Sequence, residues 1–187
     1  VHALGAVVHR MQAPQHRHLV VGAVRPVLHQ VGHQDDREQR NGEGQLLHRL
    51  GFRNVWLMDL TGEPFKDVLR QCPDFPQEHL LTGDFFAHSG SYDLILEQTF
   101  FCALDPALRV AYVRTMHELL APGGRLVGVL FDDPQPGKDP NGPPFGGSRK
   151  EYQHLFAATF SKVTIEPCHN SIPPRAGREV WIDVRKS

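Results

Sequence analysis

Residues Tyr92–Asp132 constrain the fold most, because they read as a strand, a helix and a second strand in immediate succession. An apolar run, Tyr92–Glu97, ends in an acidic residue and is followed by an amphipathic segment, Asp105–Leu120. A second apolar run, Arg125–Phe131, begins after Pro122-Gly123-Gly124. A helical crossover of this length joins parallel strands with a right-handed connection. The stretch therefore predicts a parallel α/β sheet, in which ligands bind beyond the carboxyl ends of the strands.

The length and charge of the chain exclude several classes of protein. A chain of 187 residues suits one domain, and a net charge of −1 offers no basic face for nucleic acid or a membrane surface. No apolar run approaches the roughly 20 residues of a membrane span or has the form of a signal peptide. The three cysteines, Cys72, Cys102 and Cys168, are too widely spaced for a disulfide framework or a metal cluster. We expect a cytoplasmic monomer that acts on a small molecule, with no nucleic acid, membrane or metal partner.

The first 50 residues differ in composition from the rest of the chain. They contain no Phe, Tyr, Trp, Ser, Thr, Lys or Ile, although the whole chain has 16 aromatic residues. Their only strand-like run in the first 40 positions is Leu19–Val24. Two interpretations remain open: a peripheral arm without fixed structure, or an out-of-frame translation that joins the true frame near Gly44. The missing residue types favour the second, and we divide the chain into an atypical segment, 1–44, and a domain, 45–187.

Histidines are concentrated in this atypical segment, where His16, His18, His29 and His33 could suggest metal binding. Their spacings do not form the pairs of ligands typical of zinc sites, and no cysteine or acidic cluster accompanies them. We interpret them as solvated side chains.

From Gln45 onward the sequence has conventional helix and strand signals. The remaining predicted elements are the helices Gln45–Leu50, Phe65–Cys72 and Ser148–Phe160 and the strands Arg53–Leu60, His79–Thr82, Val163–Glu166 and Glu179–Arg185. Ser148 and Glu151 have the spacing of a capping box. The segment Asp132–Gly147 is rich in Pro and Gly and is predicted to be a lid or binding loop.

Polar residues follow three of the predicted strands, at Asp59, at Gly83-Asp84-Phe85 and at Glu97. If these strands are adjacent and parallel, the three groups meet at one edge of the sheet. A carboxylate such as Asp59 can accept from both hydroxyls of a ribose. Asp84 could accept from an exocyclic amine, and the Phe85 amide could donate to a ring nitrogen. Each residue alone is more typical of a turn or a core, but together they predict a nucleoside pocket.

Several stretches in order resemble a known family. They are VWLMDL, TGDFF, YDLILEQTFFCALDPALR, LLAPGGRLVGVLFD, GPPFGGSRKEY and SIPPRAGREV. Over about Gln45–Lys186 the chain resembles class I S-adenosylmethionine-dependent methyltransferases and looks closest to the thiopurine S-methyltransferase-like family. The resemblance implies an α/β, Rossmann-like methyltransferase fold. It would have a mostly parallel seven-stranded sheet, helices on both faces, and an atypical first strand and N-terminal part.

The resemblance also implies site residues and a cofactor, S-adenosyl-L-methionine. The residues implied for cofactor binding are Asp59, Leu60, Gly83, Asp84, Phe85 and Glu97. Glu97 and Gln98 would be catalytic, beside the methionine moiety or the methyl group. Phe100, Phe101, Phe145 and Arg175 would bind the substrate. From the residues alone, Arg175 is as readily a solvated turn residue, and Cys102 is interpreted as a packed side chain rather than a nucleophile.

The function implied is methyl transfer to a small soft nucleophile such as a thiol or a halide. The family's glycine-rich loop after its first strand has no counterpart, since residues 25–44 contain no G-x-G-x-G. The alternative is therefore a catalytically incompetent, truncated or frame-altered relative of such an enzyme. A nucleotide-dependent oxidoreductase is a third hypothesis, which we rank last because it lacks its own phosphate loop.

Overall fold

The fold is built on one mixed β-sheet. A computed structural model of the chain describes residues 19–22, 42–98, 100–137, 139 and 141–187. The strands of these residues are β1 (Leu19–Gly22), β2 (Val55–Asp59), β3 (Leu80–Thr82), β4 (Tyr92–Gln98), β5 (Leu120–Phe131), β6 (Lys162–Pro167) and β7 (Glu179–Arg185). They form a seven-stranded sheet in the order β3-β2-β1-β4-β5-β7-β6. All neighbouring pairs are parallel except those of β7, which is antiparallel to β5 and β6.

Helices cover both faces of this sheet. The described helices are α1 (Gly42–Arg49), α2 (Glu63–Gln71), α3 (Arg109–Leu119) and α4 (Arg149–Ala157). Alternate residues of β4 enter different apolar clusters, because successive side chains of a strand point to opposite faces. Leu94 and Leu96 pack in the cluster that contains residues of α1 and α2. Ile95 packs in the larger cluster, which contains residues of α3 and α4.

The first strand lies in the centre of the sheet, between β2 and β4. Gly22 at its end is in register with both Met58 and Glu97. The structure thus confirms a strand within Leu19–Val24, up to Gly22. Residues 1–18 and 23–41, which include His16, His18, His29 and His33, lie outside the described residues. The division of the chain at residue 44 accordingly remains a prediction.

Two element boundaries differ by four or five residues from those expected. The chain from Pro106 to Leu108 forms a 3-10 turn, and α3 begins only at Arg109. Asp105 caps that turn, since its side chain accepts from the Ala107 amide at 2.8 Å. The strand β5 begins five residues early, at Leu120, because Leu120 already pairs with Tyr92 before the chain bulges and resumes pairing at Arg125.

The glycines near residue 43 belong to a helix. Gly42 and Gly44 lie in α1, where Gly44 packs so closely on β2 that an added Cβ would be 2.4 Å from Leu57 Cδ2. Helix α1 ends at Arg49, one residue before the predicted end at Leu50, and Gly51 follows with a φ of 91°. The Phe52 amide then donates to the Leu47 carbonyl, which satisfies a carbonyl of the last helical turn.

Candidate functional site

The predicted strand-end residues converge at one edge of the sheet. Asp59 is the last residue of β2, Gly83 to Phe85 follow β3, and Glu97 is the second-last residue of β4. These three strands and β1 form the parallel half of the sheet. Asp59 is in register with Thr82, and Glu97 is in register with Gly22. The Gly83 amide donates to the Asp59 carbonyl at 3.1 Å, which joins the ends of β2 and β3. The carboxyl ends of four neighbouring parallel strands therefore form the candidate site.

Asp59 is almost completely buried, at 1% exposure. Its Oδ1 accepts from the Thr61 amide at 2.9 Å, from the Thr61 hydroxyl at 3.0 Å and from the Gly62 amide at 3.2 Å. These bonds hold the turn that leads into α2, where Gly62 has a positive φ of 71°. Leu60, by contrast, is 45% exposed and presents apolar surface beside the carboxylate. The end of β2 thus carries a fixed acceptor next to an open apolar side chain.

The end of β3 presents mainly backbone and a carboxylate. Asp84 is exposed, and its Oδ1 accepts from the Phe86 amide at 2.9 Å. The Phe85 ring is buried in the core, with its centroid 4.9 Å from that of Phe100. Gly83 has a φ of 156°, and among the described residues other than Gly83 and its chain neighbours no heavy atom lies within 4 Å of a Cβ built there. The space beside Gly83 is therefore open to a ligand that approaches the backbone closely.

Glu97 is a buried carboxylate that accepts three hydrogen bonds. Its Oε1 accepts from the amides of Phe100 and Phe101, both at 2.9 Å, and its Oε2 accepts from the Tyr112 hydroxyl at 2.6 Å. Burial raises the pKa of Glu97 to about 7, although these three bonds oppose the shift. Burial also raises the pKa of Tyr112 well above its ordinary value, so this hydroxyl remains a donor.

A 3-10 turn, Phe101–Ala103, connects Glu97 to the long loop. The Phe145 amide donates to the Cys102 carbonyl at 2.6 Å. The side chains of Phe100 and Phe101, predicted to bind the substrate, are each 1% exposed and belong to the core. Phe145 is half-buried, as is Gln98 at the end of β4. Of the predicted aromatic residues, Phe145 thus has the more accessible ring.

Cys102 is a packed side chain, as predicted. It is 7% exposed, and its pKa is raised to about 12 by burial and by the negative charge of Glu97. A thiol is a weak nucleophile in this state, because the thiolate is the reactive form.

Arg109 is a buried cation whose burial the sequence analysis did not predict. It is 5% exposed, and its Nη1 donates to Glu151 Oε1 while its Nη2 donates to the Gly146 carbonyl, both at 2.7 Å. Its guanidinium carbon lies 4.9 Å from the centroid of the Phe101 ring. The spacing of Arg109, three residues before Tyr112 on the apolar face of α3, could have indicated its burial. It fastens the long loop and α4 to α3.

Two further arginines hold the segment before β7. Arg175 is half-buried, with its guanidinium carbon 5.4 Å from the Phe131 ring centroid and its Nη1 3.5 Å from Glu179 Oε1. Arg178 Nε donates to Asp133 Oδ2 at 2.7 Å, and its carbonyl accepts from the Asp132 amide at 2.8 Å. The segment before β7 and the start of the long loop are therefore joined.

The arrangement suits a ligand with hydroxyl and amine donors at the ends of β2 and β3.

In the part of the chain that the structure describes, no group of three or more His, Cys, Asp or Glu is placed to hold a metal ion. Within the same residues, no helix combines the length and apolar character needed to cross a bilayer.

Comparison with known proteins identifies relatives of the chain. Residues 63–181, more than half of the chain, match the family model described as thiopurine S-methyltransferase. The probable thiol methyltransferase 2 of Arabidopsis thaliana is 36% identical over 103 residues, which are 53% of this chain and 44% of that protein. The thiopurine S-methyltransferase of Vibrio vulnificus (strain YJ016) is 40% identical over 84 residues, 44% of this chain and 38% of that protein. The matches thus span less than half the length of these two relatives.

Solved structures share the fold at low sequence identity. A TehB-like SAM-dependent methyltransferase from Corynebacterium glutamicum gives a TM-score of 0.65 at 13% identity, over 100% of this chain and 88% of that chain. A glycopeptide N-methyltransferase complexed with sinefungin gives a TM-score of 0.68 at 12% identity, over 99% of this chain and 92% of that chain. The likeness confirms the predicted Rossmann-like methyltransferase fold, with a mixed sheet.

Proposed function

Because the chain belongs to the thiopurine S-methyltransferase family, we propose that it transfers a methyl group from S-adenosyl-L-methionine to a small soft nucleophile, such as a thiol or a halide. The observation that carries the proposal is the convergence of Asp59, Gly83 and Glu97 at the carboxyl ends of neighbouring strands. Similarity to a probable thiol methyltransferase and a thiopurine S-methyltransferase supports a sulfur acceptor. We also propose that the protein is a cytoplasmic monomer and has no nucleic acid partner.

The residues at the ends of β2 and β3 would hold the adenosine part of the cofactor. Asp59 is a buried acceptor suited to ribose hydroxyls, and Leu60 beside it offers apolar surface for the base. Gly83 leaves room for close approach, while Asp84 and the Phe85 backbone provide an exposed acceptor and a donor for the adenine edge. The residue types present therefore fit the cofactor at this end.

The acceptor side would be formed by the turn after β4 and the loop after β5. Phe145 and Arg175 are half-buried and can contact a small acceptor directly. Phe100 and Phe101 would not contact the acceptor, because their rings are buried. They would instead pack beneath the residues that line the acceptor site. Arg175 already has Glu179 as an ion-pair partner, so it would bind an anionic acceptor only weakly.

The cofactor supplies a methyl group on a positively charged sulfur. A lone pair of the acceptor forms the new bond to the methyl carbon, and the electron pair of the broken carbon–sulfur bond remains on the sulfur. The chain's residues contribute mainly by holding both reactants in line, an effect that can supply roughly 7–11 kcal/mol. A halide has no proton to lose, and a thiol acceptor would release its proton to water and react as the thiolate, so no strong general base is needed. Gln98, at the end of β4, is proposed to orient the reacting groups together with Glu97.

Binding and transfer can be measured separately. Calorimetry with S-adenosylhomocysteine should show one site, and incubation with S-adenosylmethionine should methylate hydrosulfide, iodide or thiophenol. Absence of binding at millimolar ligand would contradict the proposal and favour a catalytically incompetent relative. Binding without transfer to any of the three acceptors would support the cofactor site and contradict the soft-nucleophile class.

A further inference from the structure

The two residues proposed to contact the acceptor directly lie on separate segments of the chain. Phe145 lies near the end of the long loop, and Arg175 lies in the segment before β7, residues 172–178. Both side chains are half-buried. Neither residue belongs to a strand, so the pairing of the sheet does not by itself fix the distance between the two side chains.

One ion pair joins the two segments. Arg178 Nε donates to Asp133 Oδ2 at 2.7 Å, and Arg178 Nη2 contacts the same oxygen. The other carboxylate oxygen, Asp133 Oδ1, accepts from the Gln135 amide at 2.9 Å. The Asp133 side chain is 17% exposed, so water screens the pair only in part. The carboxylate thus bonds to the segment before β7 with one oxygen and to the long loop with the other.

Each member of this ion pair is connected through the backbone to a residue of the proposed acceptor site. The Asp133 carbonyl accepts from the Gly147 amide at 3.0 Å, and Gly147 lies two positions after Phe145. The Arg178 amide donates to the Arg175 carbonyl, also at 3.0 Å. The ion pair therefore lies between the two side chains and is linked to each by one backbone hydrogen bond and a few residues of chain.

Other contacts keep the two segments together without the guanidinium. The Asp132 amide donates to the Arg178 carbonyl at 2.8 Å, a bond that any residue at position 178 can make. Gly146 packs so closely on the start of the loop that an added Cβ would be 1.7 Å from the Asp133 carbonyl oxygen. Loss of the Arg178 side chain should therefore change the orientation of the segments while leaving the fold in place.

We propose that Arg178 is a positioning residue for the acceptor. Its pair with Asp133 keeps Arg175 and Phe145 at the separation that the acceptor requires, and Arg178 itself contacts no reactant. The inference rests on the proposed function and deepens it. Asp59, proposed to hold the ribose, belongs to β2, which two strands separate from β5. Arg178 therefore acts on the acceptor and not on the affinity for the cofactor.

Steady-state kinetics and calorimetry test this role together. The acceptor is the one that the wild type methylates best among hydrosulfide, iodide and thiophenol, and the calorimetric ligand is S-adenosylhomocysteine. Arg178→Met removes the donors to Asp133 and keeps an unbranched side chain. The acceptor KM should rise about tenfold, because misplacing a positioning group by about 1 Å can cost up to about a hundredfold. The Kd of S-adenosylhomocysteine should stay within about twofold of the wild-type value, and kcat should change less than KM.

A second variant of the same pair keeps the inference testable if Arg178→Met fails to fold. Asp133→Asn retains an oxygen for the Gln135 amide and loses the charge that Arg178 contacts, so the acceptor KM should rise by a similar factor. The double variant should be no worse than either single variant, because each substitution removes the same contact.

Arg70→Met is the matched control. It breaks an ion pair with Asp67 at 3.0 Å on the surface of α2, so it should leave both the acceptor KM and the Kd of S-adenosylhomocysteine unchanged.

The outcomes separate this inference from the proposed function. A wild-type acceptor KM in Arg178→Met and Asp133→Asn would overturn the inference and leave the proposed function intact. A fall in kcat with unchanged KM would overturn it equally, since a smaller folded fraction has that effect. Additive effects in the double variant would also overturn it. Failure of the wild type to bind S-adenosylhomocysteine, or to methylate any of the three acceptors, would overturn the proposed function together with the inference.

Discussion

Arg109 Nη1 and Glu151 Oε1 lie 2.7 Å apart, although 42 positions separate the two residues in sequence. The arginine side chain is 6% exposed, whereas the glutamate side chain is 47% exposed. The same guanidinium also donates to the Gly146 carbonyl. One buried side chain of α3 is thus bonded both to the end of the long loop and to the first turn of α4.

Arg109→Met is expected to loosen this junction. It removes the ion pair and the bond to Gly146, while Glu151 remains able to reach water, so the free energy of unfolding should fall by about 1–3 kcal/mol. Urea unfolding measures the loss. Arg114→Met on the same helix is the control, because Arg114 is exposed and its replacement should cost less than about 0.5 kcal/mol. Equal losses in the two variants would contradict the anchoring role of Arg109.

The stability of the fold should depend on pH through Glu97. Its pKa rises from the ordinary value of 4.5 to about 7, chiefly through burial. The folded chain therefore binds more protons than the unfolded chain between these values, and the free energy of unfolding falls as pH rises through this window. The loss relative to Glu97→Gln, which cannot ionise, should be on the order of 3 kcal/mol. Urea unfolding of both chains at about pH 5 and about pH 8 measures it, and parallel curves would be inconsistent with a raised pKa.

Gly128→Ala should be strongly destabilising. A Cβ at this position would lie 2.1 Å from the Glu97 carbonyl oxygen, so the two strands cannot accept a methyl group without moving apart. We expect a loss of about 1–3 kcal/mol or more in thermal or urea unfolding. Gly51→Ala is the comparison, because no described neighbour crowds its Cβ position and its positive φ opposes the change by about 1–2 kcal/mol. A smaller loss for Gly128→Ala than for Gly51→Ala would refute this packing.

Asp59→Asn tests the ribose role separately from the local turn. Asparagine retains an oxygen for the Thr61 and Gly62 donors but loses the charge and one acceptor. Affinity for S-adenosylhomocysteine should fall about tenfold or more, because hydrogen bonds to a charged group are worth roughly 1.5–3 kcal/mol. Thr61→Ala removes one donor to Asp59 and keeps its carboxylate, so the affinity should change little. A greater effect of Thr61→Ala in calorimetry would contradict the assignment.

The three cysteines should be unreactive in the folded chain. Cys72, Cys102 and Cys168 are 3%, 7% and 7% exposed, and the pKa of Cys102 is raised to about 12. Iodoacetamide at about pH 8 should label none of them rapidly, whereas denaturant should expose all three. Mass spectrometry counts the labels, and rapid labelling of Cys102 in the native chain would show that the turn after β4 opens readily.

The strand-end residues were predictable because their signal is local. A short apolar run followed by Asp59 or Glu97 shows both the strand and its end, and parallel order brings such ends together. The cap at Ser148 was visible for the same reason, and its hydroxyl accepts from the Glu151 amide at 3.3 Å. The Glu151 side chain, which would complete the predicted capping box, pairs instead with Arg109.

The contacts that shape the site were not predictable, because they join distant segments. The amides of Phe100 and Phe101 turn towards Glu97 only because the chain forms a 3-10 turn there. The burial of both rings then depends on α3 and α4, which lie further along the chain. The sequence shows that aromatic residues follow β4. It does not show which of these rings are buried in the core and which are exposed to a ligand.

A single four-residue strand, β1, lies between the two halves of the candidate site. On one side of it, β2 and β3 carry the proposed adenosine contacts, and on the other side β4 and β5 lead to Glu97 and the acceptor loop. β1 therefore joins the two halves, and its pairing with β2 and β4 sets the distance between the end proposed to bind the nucleoside and the end proposed to bind the acceptor. A change that unpairs β1 would separate these two ends without replacing any residue proposed to contact a reactant.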